Sequence, residues 1–458
     1  MSSRYPRLSL ADRSFLRFEY PNAPEHVAGL CIVEARPLLD ASGRLDLEQV
    51  RRRLEARLVR VPELRRTMRR VPPLCGPPLW IDDPSFSLEH HVRTAPVAAP
   101  GDEAGLLGTT ERLVAAPLDR SRPLWELWFL TGLEGGRLGI LFKLHHAVAD
   151  GLGAIALMTS LFDLDPDAPD PPSTEWRPAP APAVLALFGD NVRRLAGSVT
   201  STLGHPLRLA RGLARTLRDF AAMLRDRSGA PRTSLNALPG PARRVRVVHL
   251  DLDTARAVGH AHGTRVNDVA LCVVAGGVRD LLASRGERVT GLELKVMVPV
   301  AMRGADRARD LGNASGVIRV SLPLDEPDPG RHLERIAASS RSARAGQHPA
   351  SGQALFGWLA AAGLVRRLTE RQRMANFFVT NVPGPSVTLY VLGARVEDLM
   401  PIIGLAGNLT LAFGALSYCG RLSLLVNADA AACPDVDVLA AGMRRRWAEL
   451  ARTAGPGR

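Results

Sequence analysis

The chain has 458 residues, 46% of them hydrophobic and 23% charged, which is typical of a globular protein with two or three domains or one large duplicated fold. No apolar run reaches the length of a membrane span and the N-terminus lacks an apolar signal core, so the sequence predicts a cytoplasmic protein. The net charge of +13 is almost entirely arginine, and aromatic residues, at 5%, are not interleaved with it as a nucleic-acid stacking platform requires, so no nucleic-acid partner is expected.

Strand and helix patterns alternate along the first part of the chain. The predicted elements are, in order, a leading segment (8–15), a strand (26–35), a helix (45–64), a loop leading into a strand (80–92), a short helix (106–113) and two strands (125–130 and 138–144). The last two strands are predicted to form a hairpin, because the Glu-Gly-Gly between them is typical of a turn.

The second strand of this hairpin runs into the string HHAVADG, residues 145–151, and an apolar helix pattern follows it. Two adjacent histidines on a continuing strand point to opposite faces, so at most one of them can face a given cavity. The residues alone do not decide which one does. An imidazole near neutral pH suits a general base, but it also suits an ordinary core or surface position, as at His90-His91, which no Asp-Gly follows.

Residues 163–182 contain seven prolines and predict a linker, because proline interrupts both helices and central strands. Two helical stretches follow, broken at 204–206. The second, 206–227, carries an apolar stripe flanked by Arg208, Arg211, Arg215 and Arg218. Such a basic amphipathic helix can lie on an anionic membrane surface, and it can equally pack on its own protein, so both interpretations stay open.

The remainder of the chain again mixes strands and helices. The predicted elements are a strand (245–252), two helices (253–262 and 266–282), two strands (294–300 and 316–322), a helix (329–345), a strand running into a turn (377–385), two further strands (409–429) and a closing helix (436–453). Two related α/β domains are therefore expected, at 1–165 and 241–458, with the linker and the basic helices at 166–240 between them.

The HHxxxDG string resembles the active-site motif of CoA- and carrier-dependent acyltransferases. Further strings are similar to the bacterial wax ester synthase/diacylglycerol acyltransferase family: Pro123-Leu124-Trp125, Asn267-Asp268, Pro299-Val300 with Arg303, Leu311-Gly312-Asn313, residues 380–385 and residues 407–420. They follow the order of that family along nearly the whole chain. The resemblance implies two chloramphenicol-acetyltransferase-like domains with the active site at their interface.

The same resemblance implies a reaction and a set of roles. A fatty acyl group would pass from acyl-CoA to diacylglycerol or to a long-chain alcohol, with His146, the second histidine, as general base. Asn267 is the candidate donor to the oxyanion. Asp150 would be structural, paired with Arg303, and Gly151 would serve the turn. His145, Asp268, Pro123, Leu124 and Trp125 would support the site.

The chemistry of the residues agrees with this reaction. A neutral imidazole can take the hydroxyl proton as the new bond forms, and a thioester is already activated, so no covalent intermediate is needed. The sequence contains no Gly-x-Ser-x-Gly elbow that would offer one. Five scattered cysteines form no CxxC pair, so neither a metal nor a disulfide framework is expected, and no cofactor beyond the acyl-CoA substrate is invoked.

Two other functions remain alternatives. One is a carrier-protein-dependent acyltransferase of the condensation type, and the other is a non-catalytic lipid-binding protein with the same fold. Since the acceptors are barely soluble in water, a peripheral membrane or lipid-droplet surface is also an expected partner. The preferred acceptor, the acyl chain length and the oligomeric state are left open by the sequence.

Overall fold

The protein is described by a computed structural model covering residues 5–20, 22–149, 151–172, 175–203, 229–301, 315–345 and 369–454. The α-helices in these ranges are α1 (Leu10–Phe18), α2 (Leu47–Arg57), α3 (Leu88–His91), α4 (Glu103–Ala115), α5 (Gly151–Thr159), α6 (Val184–Leu203), α7 (Leu252–Ala261), α8 (Val266–Ser284), α9 (Pro329–Ala345) and α10 (Val436–Thr453). The strands are β1 (His26–Glu34), β2 (Arg66–Arg69), β3 (Leu79–Asp82), β4 (Val92–Pro96), β5 (Trp125–Leu133), β6 (Arg137–His145), β7 (Arg243–Asp251), β8 (Glu293–Ala301), β9 (Ser315–Pro323), β10 (Phe377–Val382), β11 (Tyr390–Val391), β12 (Ala394–Ile403), β13 (Leu411–Tyr418) and β14 (Arg421–Asp429).

The first six-stranded sheet has the order β11-β12-β1-β6-β5-β4. β5 and β6 pair antiparallel, so the predicted hairpin is confirmed. Because side chains alternate along a strand, β1 and β6 present two different faces. One face, with Val27, Phe142 and Leu144, packs against helices that include α5, whereas the other, with Leu30 and Leu141, faces α4 and β7.

The second six-stranded sheet has the order β7-β14-β13-β10-β8-β9. Helix α8 is almost wholly apolar, and it packs in the largest core cluster together with α7, α9 and α10. This all-round apolar character is expected of a helix buried between other elements. The two-domain α/β architecture predicted from the sequence is therefore confirmed.

One strand from the C-terminal part of the sequence belongs to the first sheet. β12 lies late in the sequence, but it pairs antiparallel with β1 in the first sheet, with Leu30 opposite Met400. It also contacts β13 and β14 of the second sheet. The sequence analysis did not predict β12. The expected domain boundaries at residues 165 and 240 stay a prediction.

Two local predictions need correction. The helix predicted over 45–64 ends at Arg57 and continues as the 3-10 turns Leu58–Arg60 and Pro62–Arg65, because Pro62 has no N–H group and disfavours a helical conformation for the residue before it. Residues 80–92 are not a simple loop, since β3 extends to Asp82 and α3 forms one turn before β4 begins.

The predicted linker is irregular where the structure describes it, but it is held to the first domain. Asp163 exchanges backbone hydrogen bonds with Tyr390, and its carboxylate accepts a hydrogen bond of 2.7 Å from the buried Arg57. The basic stretch 206–227 lies outside the described residues. No helix in the described part of the chain is long and apolar enough to cross a membrane.

Candidate active site

The HHAVADG string begins at the last residue of β6, and the backbone of its turn is fixed by hydrogen bonds. Four consecutive N–H groups each have an acceptor: His145 donates to Leu124 O (3.0 Å), His146 to Glu25 O (2.8 Å), Ala147 to His145 Nδ1 (2.9 Å) and Val148 to His145 O (2.9 Å). These donor–acceptor distances lie within the normal range for hydrogen bonds that a backbone N–H group donates. The two histidines are therefore presented by a rigid turn.

His145 belongs to the scaffold of this turn. Its side chain is 1% exposed, and because Nδ1 accepts the N–H of Ala147, the ring hydrogen must be on Nε2. Burial, and secondarily the charge of Arg120, lowers the pKa of His145 to about 3. The ring therefore remains neutral, and its acceptor nitrogen is already engaged by the backbone.

His146 occupies a different environment. Its N–H bond to Glu25 continues the β1–β6 ladder by one residue, and its side chain is only partly buried. The imidazole stacks on Phe15 of α1, with ring centroids 4.1 Å apart and planes inclined by 19°. Stacking fixes the plane of the ring while leaving its edge, which carries the nitrogens, to interact with other groups. Phe15 was placed by the sequence only in a leading segment.

Glu25 is a further titratable residue that the sequence analysis missed. It lies directly opposite His146, one residue before the His26–His145 pair of the ladder. Desolvation by the surrounding protein raises the pKa of Glu25 to about 8. No local pattern marks this glutamate, because only the pairing of β1 with β6 brings it to the motif.

The Pro123-Leu124-Trp125 string supports the histidines from β5. The carbonyl of Leu124 holds the backbone of His145, as described above, and Pro123 is buried beside it. Trp125 donates from Nε1 to Leu64 O at 2.6 Å and stacks on His91 at 4.5 Å. His91 is therefore a core residue that braces the start of β5.

Asn267 and Asp268 lie in the first turn of α8, and their side chains make different hydrogen bonds. Asp268 accepts the N–H of Arg265 at 3.1 Å and so caps the helix. Asn267 instead accepts a long, 3.4 Å hydrogen bond from Asn381 of β10 through its side-chain oxygen. This orientation turns the donor end of the Asn267 amide away from Asn381.

Of the three remaining predicted residues, only Gly151 is described, and only through its backbone, which begins α5. Asp150 and Arg303, and with them the predicted ion pair, lie outside the described residues.

An apolar pocket, here called the interdomain pocket, lies on the face of β1 and β6 that α5 covers. Its lining residues are Val27, Ala28, Gly29, Phe142, Ala154, Met158, Thr380, Val382, Leu399, Met400, Pro401, Ile402, Ile403 and Leu416. Phe142 and His146 are four residues apart, so the strand alternation places them towards the same face, about 13 Å apart along the chain. β10 also connects the pocket to Asn267 through Asn381.

Comparison with known families decides the class of protein. Residues 8–270 match the model of the wax ester synthase/diacylglycerol acyltransferase catalytic domain, and residues 311–451 match the C-terminal domain of the same family. The chain belongs to the wax ester synthase/diacylglycerol acyltransferase family. It is an acyltransferase, as the sequence analysis predicts.

Relatives in this family extend over most of the chain. A Mycobacterium tuberculosis protein (strain CDC 1551 / Oshkosh), named as a diacylglycerol O-acyltransferase, is 31% identical over 98% of this chain and 97% of its own. A second one from strain H37Rv, also named as a diacylglycerol O-acyltransferase, is 30% identical over 82% of this chain and 81% of its own.

Solved structures agree with the family assignment. The wax ester synthase/diacylglycerol acyltransferase from Marinobacter aquaeolei VT8 covers 98% of this chain and all (100%) of its own, with a TM-score of 0.71 and 25% identity. The first condensation domain of the CDA synthetase covers 100% of this chain and 98% of its own at a TM-score of 0.59, but it is 18% identical and so shares the fold alone.

Proposed function

We propose that this enzyme transfers a fatty acyl group from acyl-CoA to the hydroxyl group of diacylglycerol or of a long-chain alcohol, with His146 as general base. The observation that carries the proposal is the contrast between the two histidines. His145 is buried and neutral, with its acceptor nitrogen committed to Ala147, whereas His146 is partly exposed at the end of the strand whose Phe142 lines the interdomain pocket.

The reaction needs a single proton carrier. His146 takes the proton of the acceptor hydroxyl as its oxygen bonds to the thioester carbon, and the tetrahedral intermediate then expels CoA by breaking the carbon–sulfur bond. The protonated imidazole returns its proton to the leaving thiolate. The amide of Asn267 is the proposed donor to the oxyanion, since preorganised donors stabilise charge that develops there. Asp150 and Arg303 remain the proposed structural pair, and no cofactor takes part.

The decisive test uses the purified chain with palmitoyl-CoA and either hexadecanol or dioleoylglycerol. We expect free CoA and the ester to appear in equal amounts, because acyl transfer releases one thiol for each ester bond formed. A reaction without acceptor is the control for simple hydrolysis. Turnover with a carrier-bound donor alone would favour the condensation-type alternative, and binding without turnover would favour the lipid-binding one.

The interdomain pocket, with a volume of about 40 Å³, is proposed to receive the end of a hydrocarbon chain of one substrate. Apart from Thr380, its lining side chains are apolar, and it borders β6, which leads into His146, and β10, whose Asn381 contacts Asn267. Met158 narrows the pocket beside Gly29, since a Cβ atom at Gly29 would lie 2.9 Å from Met158 Sδ. Met158 is therefore placed to limit the length or bulk of the chain that fits.

Met158→Ala is expected to shift the chain-length preference towards longer substrates, and Gly29→Ala towards shorter ones. Each methylene group gained or lost in an apolar pocket is worth about 0.8 kcal/mol, or roughly a fourfold change in kcat/KM. The measurement is kcat/KM over a series of saturated acyl-CoAs with hexadecanol, then over a series of alcohols with palmitoyl-CoA. The series that responds identifies which chain the pocket holds.

Met443→Ala provides a matched control for this prediction. Met443 is fully buried in the second domain and packs against Gly277 of α8, as Met158 packs against Gly29. Its removal should destabilise the protein without altering the preference for chain length. Unchanged preferences of Met158→Ala and Gly29→Ala in both series would remove the pocket from the proposal.

We also propose that the enzyme works at a membrane or lipid-droplet surface, because its acceptors collect there. The arginine-rich stretch 206–227 was the sequence-based candidate for this contact. It lies outside the described residues, so its role stays a prediction.

A further inference from the structure

Helix α6 exposes its apolar side. Five large apolar residues of this helix are well exposed: Val184 (52%), Leu185 (81%), Phe188 (43%), Val192 (48%) and Leu195 (50%). Successive residues of an α-helix are about 100° apart, so these five side chains fall within one stripe about 100° wide. A surface helix normally turns such a stripe towards the core, and α6 does the opposite.

The orientation of α6 is set by polar contacts on a different side of the helix. Asp190 is largely buried and accepts hydrogen bonds of 2.8 and 3.1 Å from Arg7. Asn191 donates to Leu74 O at 2.8 Å, and Leu187 is buried beside Cys75. A buried, paired carboxylate is costly to expose or break, so these contacts hold the apolar stripe outwards.

Two arginines of α6 flank the stripe at a distance. At about 100° per residue, Arg193 and Arg194 project about 80° beyond opposite edges of the stripe. Arg194 reaches back towards it, because its Nη2 donates at 2.8 Å to Oδ1 of Asn191, which borders the stripe. Arg13 and Arg17 of α1 lie close enough to Arg194 for their charges to interact. Burial lowers the pKa of Arg13, and the positive charges of Arg17 and Arg194 lower it further. Positive charge next to an exposed apolar stripe complements an anionic phospholipid surface, which attracts cations at its headgroups and accepts apolar side chains below them.

The same surface adjoins the active site. α1 carries Arg13 and the exposed Leu10 on one side, and its Phe15 stacks on His146. We propose that the stripe of α6, with the α1 arginines, is the surface by which this enzyme docks on an anionic phospholipid membrane, so that lipid acceptors enter beside His146. The purpose of this docking rests on the proposed function, in which the acceptors are lipids. The docking itself can be measured without catalytic turnover.

The test is a sedimentation assay of the full chain with vesicles of phosphatidylglycerol and phosphatidylcholine, without acyl-CoA. The variant Leu185→Ser/Phe188→Ser/Leu195→Ser is expected to partition at least about tenfold more weakly than wild type, because fully burying even one such side chain accounts for that factor. Its melting temperature should be unchanged, since the three side chains are exposed. Wild-type binding should also weaken at high salt and on pure phosphatidylcholine.

Leu164→Ser/Leu238→Ser/Val387→Ser is the matched control, because these three side chains are 72%, 57% and 54% exposed elsewhere on the molecule. It should bind vesicles as wild type does. Wild-type binding by the α6 variant would overturn the proposal. That result, combined with lost binding when Arg208, Arg211, Arg215 and Arg218 become glutamine, would assign docking to 206–227. A lower melting temperature with unchanged binding would instead show that part of the chain covers the stripe.

Discussion

The His146→Ala enzyme is expected to turn over about a hundredfold more slowly than wild type or worse, the scale of a lost general base. Its melting temperature should fall less than that of a variant at a fully buried position, since the side chain is only partly buried. The backbone bonds that shape the turn come from His145, Leu124 and Glu25, and the substitution leaves them in place. Initial rates of CoA release and thermal unfolding measure the two quantities.

His145→Asn is the control for this prediction. An asparagine oxygen can replace Nδ1 as acceptor for Ala147 N–H, so this variant should keep the turn and most of the activity. His145→Ala removes the acceptor and should lower the melting temperature together with the rate. A folded His146→Ala enzyme with near-native turnover would contradict the assignment. A hundredfold loss in a His145→Asn enzyme that melts like wild type would transfer the role of base to His145.

Lys143→Met is expected to lower the free energy of unfolding by about 3–5 kcal/mol, the cost of removing one partner of a buried ion pair. Lys143 is 1% exposed, and its ammonium group makes three contacts, with Glu126 Oε2 (2.8 Å), Leu113 O (3.0 Å) and Ala116 O (3.1 Å). The two carbonyls lie at the C-terminal end of α4, where a cation is also favoured by the helix dipole. Urea unfolding at neutral pH measures the effect.

The double variant Lys143→Met/Glu126→Gln serves as the comparison. Replacing both members of a buried ion pair costs less than removing one of them, so the double variant should recover part of the lost stability. Glu126 also accepts a 3.0 Å hydrogen bond from Trp128 Nε1, which glutamine can keep. Unfolding of Lys143→Met at the wild-type urea concentration would show that the buried lysine adds nothing to stability.

Local sequence patterns determined much of this protein. The hairpin of β5 and β6, the turn that follows it and the apolar helix α8 were all predicted, because side-chain periodicity and turn residues act within a few positions of one another. The two adjacent histidines could also be assigned to different environments from strand alternation. The resemblance to the acyltransferase family then supplied the reaction, and the family match bears it out.

Long-range pairing decided what the sequence could not. β12 joins the first sheet from late in the chain, and Glu25 and Phe15 meet His146 only because β1 pairs with β6 and α1 packs across the turn. In the same way, the sequence predicted a helix at α6 but not the outward direction of its apolar stripe, because the contact of Asp190 with Arg7 sets that direction across 183 positions of sequence. Periodicity specifies an element and its faces, whereas the partner that covers each face is chosen by contacts distant in sequence.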